Sequence, residues 1–106
     1  MIIAEIEAGI CGLHTTVEAD SPHGTNVALH IESDCPQVHA LSADLGTLDA
    51  FRELFQAQNQ TRILELAAQH RLHTTCIVPI GILKAIEAAA RLALPATSRI
   101  SLKKEG

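Results

Sequence analysis

The sequence predicts an α+β fold, formed by a single domain over residues 1–106, and three observations lead to this class. In the first third of the chain, apolar and polar residues alternate with period two, as half-buried strands require. From residue 35 the apolar spacing changes to three and four, which is typical of amphipathic helices. The 106 residues are 47% hydrophobic and 19% charged, a balance that supports one folded core. Strands followed by helices favour α+β over an alternating parallel fold.

The strands are expected to form a three-stranded antiparallel meander with one side facing solvent. The first strand covers residues 2–8, where Ile and Ala alternate with acidic side chains. Two glycines then permit a tight connection to a second strand over residues 15–19. A turn-forming stretch at 20–24 leads to the third strand, over residues 27–31.

About four helices are predicted to follow the meander. Pro36 suits a first helical position and Gly46 a C-cap, so the first helix is expected over residues 36–45. Thr47 is expected to cap a second helix. The apolar stripe of that helix is expected to consist of Leu48, Phe51, Leu54 and Phe55.

The rest of the chain is expected to contain two further helices. Residues 56–60 are polar and should form a loop, and the third helix should end near His70. Pro79 opens the last helix, and Pro95 helps to close it. Residues 98–103 are expected either to add a short edge strand or to trail away from the domain. The apolar face of the last helix is expected to comprise Ile82, Leu83, Ile86, Ala89, Ala90 and Ala93.

Composition excludes several classes of partner. Phe51 and Phe55 are the only aromatic residues, which leaves almost no platform for stacking nucleic-acid bases. A net charge of −4 disfavours phosphate backbones and anionic lipid surfaces. No apolar run approaches a membrane span of about 18 residues. No basic signal segment precedes the first strand, so a cytoplasmic location is expected. Apolar helix faces would allow a homo-oligomer, although no interface can be identified from them.

The three cysteines are the residues best suited to metal binding or thiol chemistry. Each is predicted to lie where one strand or helix connects to the next. Cys11 lies between two glycines in the first connection, Cys35 directly precedes Pro36, and Cys76 comes just before Pro79. In a reducing compartment these thiols are expected to be ligands, nucleophiles or buried small residues rather than disulfides. Two of them lie near helix N-termini, where the helix dipole favours thiolate.

The topology of a meander allows the three cysteines to meet. Two antiparallel strands separate Cys11 from Cys35, so both can lie at one end of the sheet, and the last helix can return Cys76 to that end. Three thiolates and one further donor would suit zinc or an iron–sulfur cluster. The candidates for the fourth ligand are His73, then Asp34, then His14.

Three functions therefore remain open from the residues alone. The first is a small metal-binding protein, with zinc or an iron–sulfur cluster held by the cysteines and no enzymatic activity required. The second is a sulfur-relay protein, in which one reactive cysteine carries a persulfide. The third is a non-catalytic interaction module whose cysteines are simply packed, as buried cysteines often are.

The cysteine pattern resembles that of the iron–sulfur cluster scaffold family, comprising IscU-type proteins and NifU N-terminal domains. Residues 8–12 (Ala-Gly-Ile-Cys-Gly) look like the first cysteine motif of that family, and residues 32–35 (Glu-Ser-Asp-Cys) like the second. Residues 76–80 lead into Lys84–Ala89 as the third motif does. Separations of 24 and 41 residues between successive cysteines are also similar. The resemblance implies an IscU-like fold, a scaffold-like role, and sulfur donors or cluster acceptors as partners.

The chain departs from that family at identifiable positions. Leu13 stands where the family has an Asp that assists cluster handling, and Thr75 stands where a His often precedes the third cysteine. The proline-containing segment that recruits a chaperone is replaced by residues 70–75. The chain also looks like a small group of uncharacterised prokaryotic proteins that contain similar Gly-Ile-Cys-Gly and Ser-Asp-Cys motifs. This similarity implies no activity.

Overall fold

A computed structural model describes all 106 residues and has the α+β architecture that the sequence predicts. Four strands and four helices follow one another, with a short 3-10 helix at Gln58–Gln60 between the second and third helices. The strands are β1 (Ile2–Glu7), β2 (His14–Asp20), β3 (Asn26–Ser33) and β4 (Leu48–Asp49). The helices are α1 (Pro36–Ala43), α2 (Ala50–Leu54), α3 (Arg62–Gln69) and α4 (Val78–Ala89). No helix is long and apolar enough to cross a membrane.

The sheet has the order β1-β2-β3-β4, and every neighbouring pair is antiparallel. Ala4 lies opposite Val17, and Val17 opposite Ile31, so the apolar residues of the first three strands share one face. The expected meander is present, but the expected number of three strands is wrong. The additional strand β4 pairs two residues, Leu48 and Asp49, with the start of β3.

The first two helices differ from the prediction at their boundaries. α1 ends at Ala43 with Asp44 as its C-cap, so Gly46 does not cap it. Asp49, rather than Thr47, caps α2, and its carboxylate accepts hydrogen bonds from the amides of Phe51 and Arg52. Both Asp and Thr are good N-cap residues, and the pairing of β4 decides between them.

The expected apolar stripe of the second helix is also wrong. Phe51 and Phe55 are exposed and stack on each other with ring centroids 5.6 Å apart, while Leu48 belongs to β4. α2 instead buries Ala50 and the carboxylate of Glu53. Glu53 accepts hydrogen bonds from the first two amides of α3, at 2.7 and 3.2 Å. The helix-starting amides need such acceptors, so the buried side chain of Glu53 serves as a second cap of α3.

The core lies between the sheet and α4, which packs on β1 and β2, while α1 packs on β3. Sixteen buried apolar residues form one cluster, and the side chains of Val17, Leu41 and Ile82 are fully buried within it. Gly81 lies where α4 approaches β1 most closely, since a Cβ there would overlap Cδ1 of Ile6. This glycine allows the start of α4 to lie close against the sheet.

α3 and α4 end in the same way, with an arginine in the left-handed region. Arg71 has φ 56° and Arg91 has φ 62°. The amide of the following residue bonds to a carbonyl five residues back, Leu72 to Ala67 and Leu92 to Glu87, as in a Schellman motif. α3 thus ends near His70, as predicted. α4 ends at Ala89, well before Pro95.

Candidate functional site

All three cysteines and His73 line one pocket at the end of the sheet where β1 leaves and β2 begins. Three segments meet there: the connection after β1, the start of α1, and the turn before α4. The pocket is small, about 80 Å³. Its lining consists of Ala8, Cys11, Leu13, Thr15, Cys35, Gln37, Val38, Leu72, His73, Cys76 and Val78.

Cys11 lies in the connection between β1 and β2, in a turn closed by a hydrogen bond from the Gly12 amide to the Gly9 carbonyl (2.9 Å). Gly9 and Gly12 have φ of 97° and 70°, a region that glycine adopts far more readily than other residues. The thiol of Cys11 is exposed, and the neighbouring Ile10 is fully exposed. Of the three cysteines, Cys11 is therefore the most accessible from solvent.

Cys35 occupies the N-cap position of α1 and is half-buried. Its amide donates to the Ser33 hydroxyl (3.1 Å), which is itself paired with the buried hydroxyl of Thr15 (2.7 Å). The Cys35 thiol donates to the side-chain oxygen of Gln37 at 3.3 Å. The backbone of this cysteine is thus fixed by the end of β3, whereas its sulfur has only a local, exposed partner.

Cys76 and His73 belong to one turn between α3 and α4. The Cys76 amide donates to the His73 carbonyl at 2.9 Å, so both residues are held in one hydrogen-bonded turn. The left-handed Arg71 turns the chain at the end of α3, and Leu72 then contributes an apolar wall to the pocket. The side chain of Cys76 is half-buried and that of His73 is exposed.

The other two candidates for a fourth ligand lie outside the pocket lining. The Asp34 carboxylate accepts a long hydrogen bond (3.4 Å) from the amide of His14, and the His14 ring lies 3.3 Å from the hydroxyl of Thr16. These contacts join the start of β2 to the end of β3. Of the three candidates, only His73 lines the same pocket as the cysteines.

The donor types suit a thiophilic metal, because thiolate and imidazole are the ligands that zinc prefers. Their spacing is not that of a formed coordination sphere, since no three His, Cys, Asp or Glu side chains are close enough to hold a metal ion. The pocket volume is also well below the ~300–1,000 Å³ of typical small-molecule sites. Binding of an ion in this pocket therefore requires all three segments to draw closer together.

Gln37 and Leu72 are among the lining residues that were not foreseen from the sequence. Gln37 interacts with the Cys35 thiol from the first turn of α1, and Leu72 directly follows Arg71, whose left-handed conformation turns the chain at the end of α3. The two-residue separation of Gln37 from Cys35 was a usable signal for the first. The position of Leu72 follows a left-handed backbone conformation at Arg71, which the residue type does not predict.

The fold and the pocket define a class: a small α+β domain with three free thiols directed to one end of its sheet. Over residues 2–102 the chain matches a family described as "Family of unknown function (DUF6951)", and it belongs to that family. No curated protein and no solved structure matches the chain.

Proposed function

We propose that the pocket formed by Cys11, Cys35, Cys76 and His73 is a binding site for a thiophilic metal, either zinc or an iron–sulfur cluster. One observation carries the proposal: every cysteine of the chain lines the same small pocket, together with one imidazole. Cysteines placed only to fill a core would have no reason to share one solvent-accessible pocket. The metal or cluster is the cargo of this site, and no enzymatic reaction is required.

The four candidate donors come from three separate segments of the chain. Cys35 and Cys76 sit at the N-terminal ends of α1 and α4, on backbone held by hydrogen bonds to Ser33 and His73. Cys11 lies on a glycine-flanked connection that is closed by hydrogen bonds from Gly12 to Gly9 and from Ala8 to Leu13. If all three segments drew closer together, they would supply three sulfur ligands and one nitrogen, which is a common structural set for zinc.

An IscU-like scaffold role is the more specific form of this proposal. It is supported by the meander followed by helices, and by cysteines at the first connection, the third strand's exit and the last helix's start. Leu13 lines the pocket where the scaffold family would place an Asp. In this form of the proposal the partners are a sulfur donor and a cluster acceptor, and the apolar Leu13 favours holding the cargo over releasing it.

The experiment is metal binding by single-site variants of the full chain. Protein purified without oxygen is titrated with zinc against a chromophoric chelator, and metal content is measured by elemental analysis. About one zinc per chain is expected for the wild type. Cys11→Ser, Cys35→Ser and Cys76→Ser should each weaken binding by at least about tenfold, since losing ligand-orienting contacts alone costs that much.

Matched histidine variants identify the fourth ligand. His73→Ala should weaken zinc binding, whereas His39→Ala, which removes an exposed histidine of α1 outside the pocket, should not. Asp34→Ala tests the remaining carboxylate candidate. Zinc binding below about one per chain, or binding that the three serine variants leave unchanged, would overturn the proposal.

A second function, sulfur relay, is favoured by one separate observation. Cys11 is exposed while Cys35 and Cys76 are half-buried, so a single thiol could meet a donor protein. In this reaction the donor's persulfide passes its terminal sulfur to the Cys11 thiol, which leaves a donor thiol and a Cys11 persulfide with no net oxidation. The pocket would then shield the persulfide after transfer.

Thiol-labelling rates separate the two functions. Relay predicts that Cys11 reacts much faster than the others, and that zinc does not change this order. Metal binding predicts that zinc protects all three thiols together until a chelator is added. If replacing all three cysteines changes neither metal content nor anything beyond packing stability, the domain is an interaction module with packed cysteines.

A further inference from the structure

Gln37 provides the one side-chain hydrogen bond that any of the three thiols makes. The Cys35 thiol donates to the side-chain oxygen of Gln37 at 3.3 Å, whereas the thiols of Cys11 and Cys76 are free. Both Gln37 and Cys35 line the pocket. The Gln37 side chain is exposed, and this is its only hydrogen bond within the chain. The contact is therefore a pairing of one pocket thiol with one pocket amide.

The N-cap position of Cys35 gives this contact its significance. A side-chain acceptor at an N-cap usually receives the amide of the second or third helical residue, and in α1 these residues are Gln37 and Val38. The Cys35 side chain makes no capping hydrogen bond, and neither of the two amides has an acceptor elsewhere in the chain. The Cys35 sulfur is therefore held by the side chain of Gln37 and not by the helix backbone.

The contact is local, so it does not depend on how the three pocket segments are arranged. Metal binding requires these segments to draw closer together, which changes distances between segments. Cys35 and Gln37 are two residues apart on one segment, and their contact moves with that segment. Val38, the next residue, is fully buried in the core, so the turn that carries Gln37 is anchored to the body of the domain.

We propose that Gln37 is a positioning residue for Cys35 in the metal site, an inference that rests on the proposed metal-binding function. In the metal-free protein its side-chain oxygen accepts from the thiol. When Cys35 binds a metal it gives up its proton to solvent. Rotation of the Gln37 amide then turns its NH₂ group toward the sulfur, because the amide has an acceptor at one end and donors at the other. The sulfur keeps one partner in both states, and Gln37 itself does not bind the metal.

The first test is the zinc affinity of Gln37→Leu in the full chain, measured by competition with a chromophoric chelator. Leu has a helix propensity close to that of Gln, but it has no hydrogen-bonding group. The affinity should fall by about tenfold, as it does when a partner that orients a metal ligand is removed. The control Gln69→Leu makes the same change at an exposed position of α3 outside the pocket, and it should leave the affinity unchanged.

A second variant, Gln37→Lys, separates the donor from the acceptor. Lys has three donors and no acceptor, so it can donate to a metal-bound sulfur but cannot accept from the thiol. Gln37→Lys should recover most of the zinc affinity that Gln37→Leu loses. Gln69→Lys adds the same charge outside the pocket and measures the effect of charge alone. Zinc binding by Gln37→Lys that is as weak as that of Gln37→Leu would overturn the inference.

Cobalt in place of zinc supplies a signal that a purely structural role of Gln37 would not change. The sulfur-to-cobalt charge-transfer band depends on the electron density at sulfur. Loss of a hydrogen bond to that sulfur should shift the band to lower energy in Gln37→Leu but not in Gln69→Leu. If the wild type binds zinc and Gln37→Leu keeps both its affinity and its band, this inference alone is wrong. A wild type that binds no zinc would overturn it together with the proposed function.

Discussion

The two ends of the sheet differ in how their polar groups are used. At the end where β2 meets β3, the buried Ser21 hydroxyl donates to the Asn26 carbonyl (2.8 Å), and Arg91 donates to the Ser21 carbonyl (3.2 Å). The Ala50 amide also donates to the Thr25 carbonyl at 2.8 Å. Side chains and backbone from three separate segments are therefore bonded together at this closed end.

At the opposite end, which holds the thiol pocket, the backbone is hydrogen-bonded but the sulfur atoms make almost no hydrogen bonds. Among the three thiols, the only side-chain hydrogen bond is the local one from Cys35 to Gln37. Cys11 lies on a turn between two glycines with positive φ. One end of the domain is thus held by hydrogen bonds, while the thiols at the other end are almost without hydrogen-bond partners, with Cys35 and Cys76 packed against the core. This contrast is the physical reason for placing function at the thiol end.

The largest expected effect comes from the contact that sets the start of α4 beside the thiol end. Gly81→Ala would push a methyl group into Ile6, and overpacking of this kind costs about 1–3 kcal/mol, partly offset by about 1 kcal/mol of helix propensity. Urea unfolding followed by circular dichroism should show a net loss of up to about 2 kcal/mol. Gly46→Ala, with no atom within 4 Å of the added methyl, is the matched control and should be nearly neutral.

At the closed end, Ser21→Ala should lower the free energy of unfolding by about 1 kcal/mol, because a buried hydrogen bond to the Asn26 carbonyl is lost. Unfolding measures this loss, and zinc titration of the folded variant should show an unchanged affinity. A strong loss of zinc binding in folded Ser21→Ala would mean that the two ends are not independent.

The two left-handed arginines provide a more sensitive comparison. Arg71→Gly should stabilise the protein by about 0.5–1 kcal/mol, because glycine relieves the left-handed backbone and no side-chain bond is lost. Arg91→Gly gains the same relief but loses the bond to Ser21, so its change should be close to zero. Equal stabilisation of both variants in thermal unfolding would contradict the role given to Arg91.

The smallest expected effect is at the exposed thiol. Cys11→Ser should change the free energy of unfolding by less than about 0.5 kcal/mol without metal, because exposed substitutions rarely do more. In the presence of zinc the wild type should gain stability that this variant lacks, since a ligand that binds only the folded state stabilises it. Thermal unfolding with and without zinc measures both quantities.

Much of the fold could be predicted from local patterns. The period-two alternation fixed the inward residues of the first three strands, and Pro36 marked the start of α1. The position of Cys11 and Cys35 at one end followed from simple parity, because two antiparallel strands separate them. These inferences succeed because each depends on a few neighbouring residues and on strand direction alone.

The errors arose where distant contacts decide the structure. Leu48 and Asp49 pair with the start of β3, and nothing local distinguishes this from the first turn of a helix. The burial of Glu53 depends on the position of the α3 amides, which the spacing of apolar residues does not reveal. For the same reason the sequence could propose His73, Asp34 and His14 as ligands, but only the fold separates the one that lines the pocket.

The most direct measurement is the X-ray absorption fine structure of zinc bound to the intact protein. A site shared by the three cysteines and His73 predicts three sulfur neighbours at about 2.3 Å and one nitrogen at about 2.0–2.1 Å. His73→Ala should remove the imidazole contribution from the spectrum, and Cys11→Ser should remove one sulfur neighbour. A first shell with fewer than three sulfur atoms, or one that Cys11→Ser leaves unchanged, would contradict a common site.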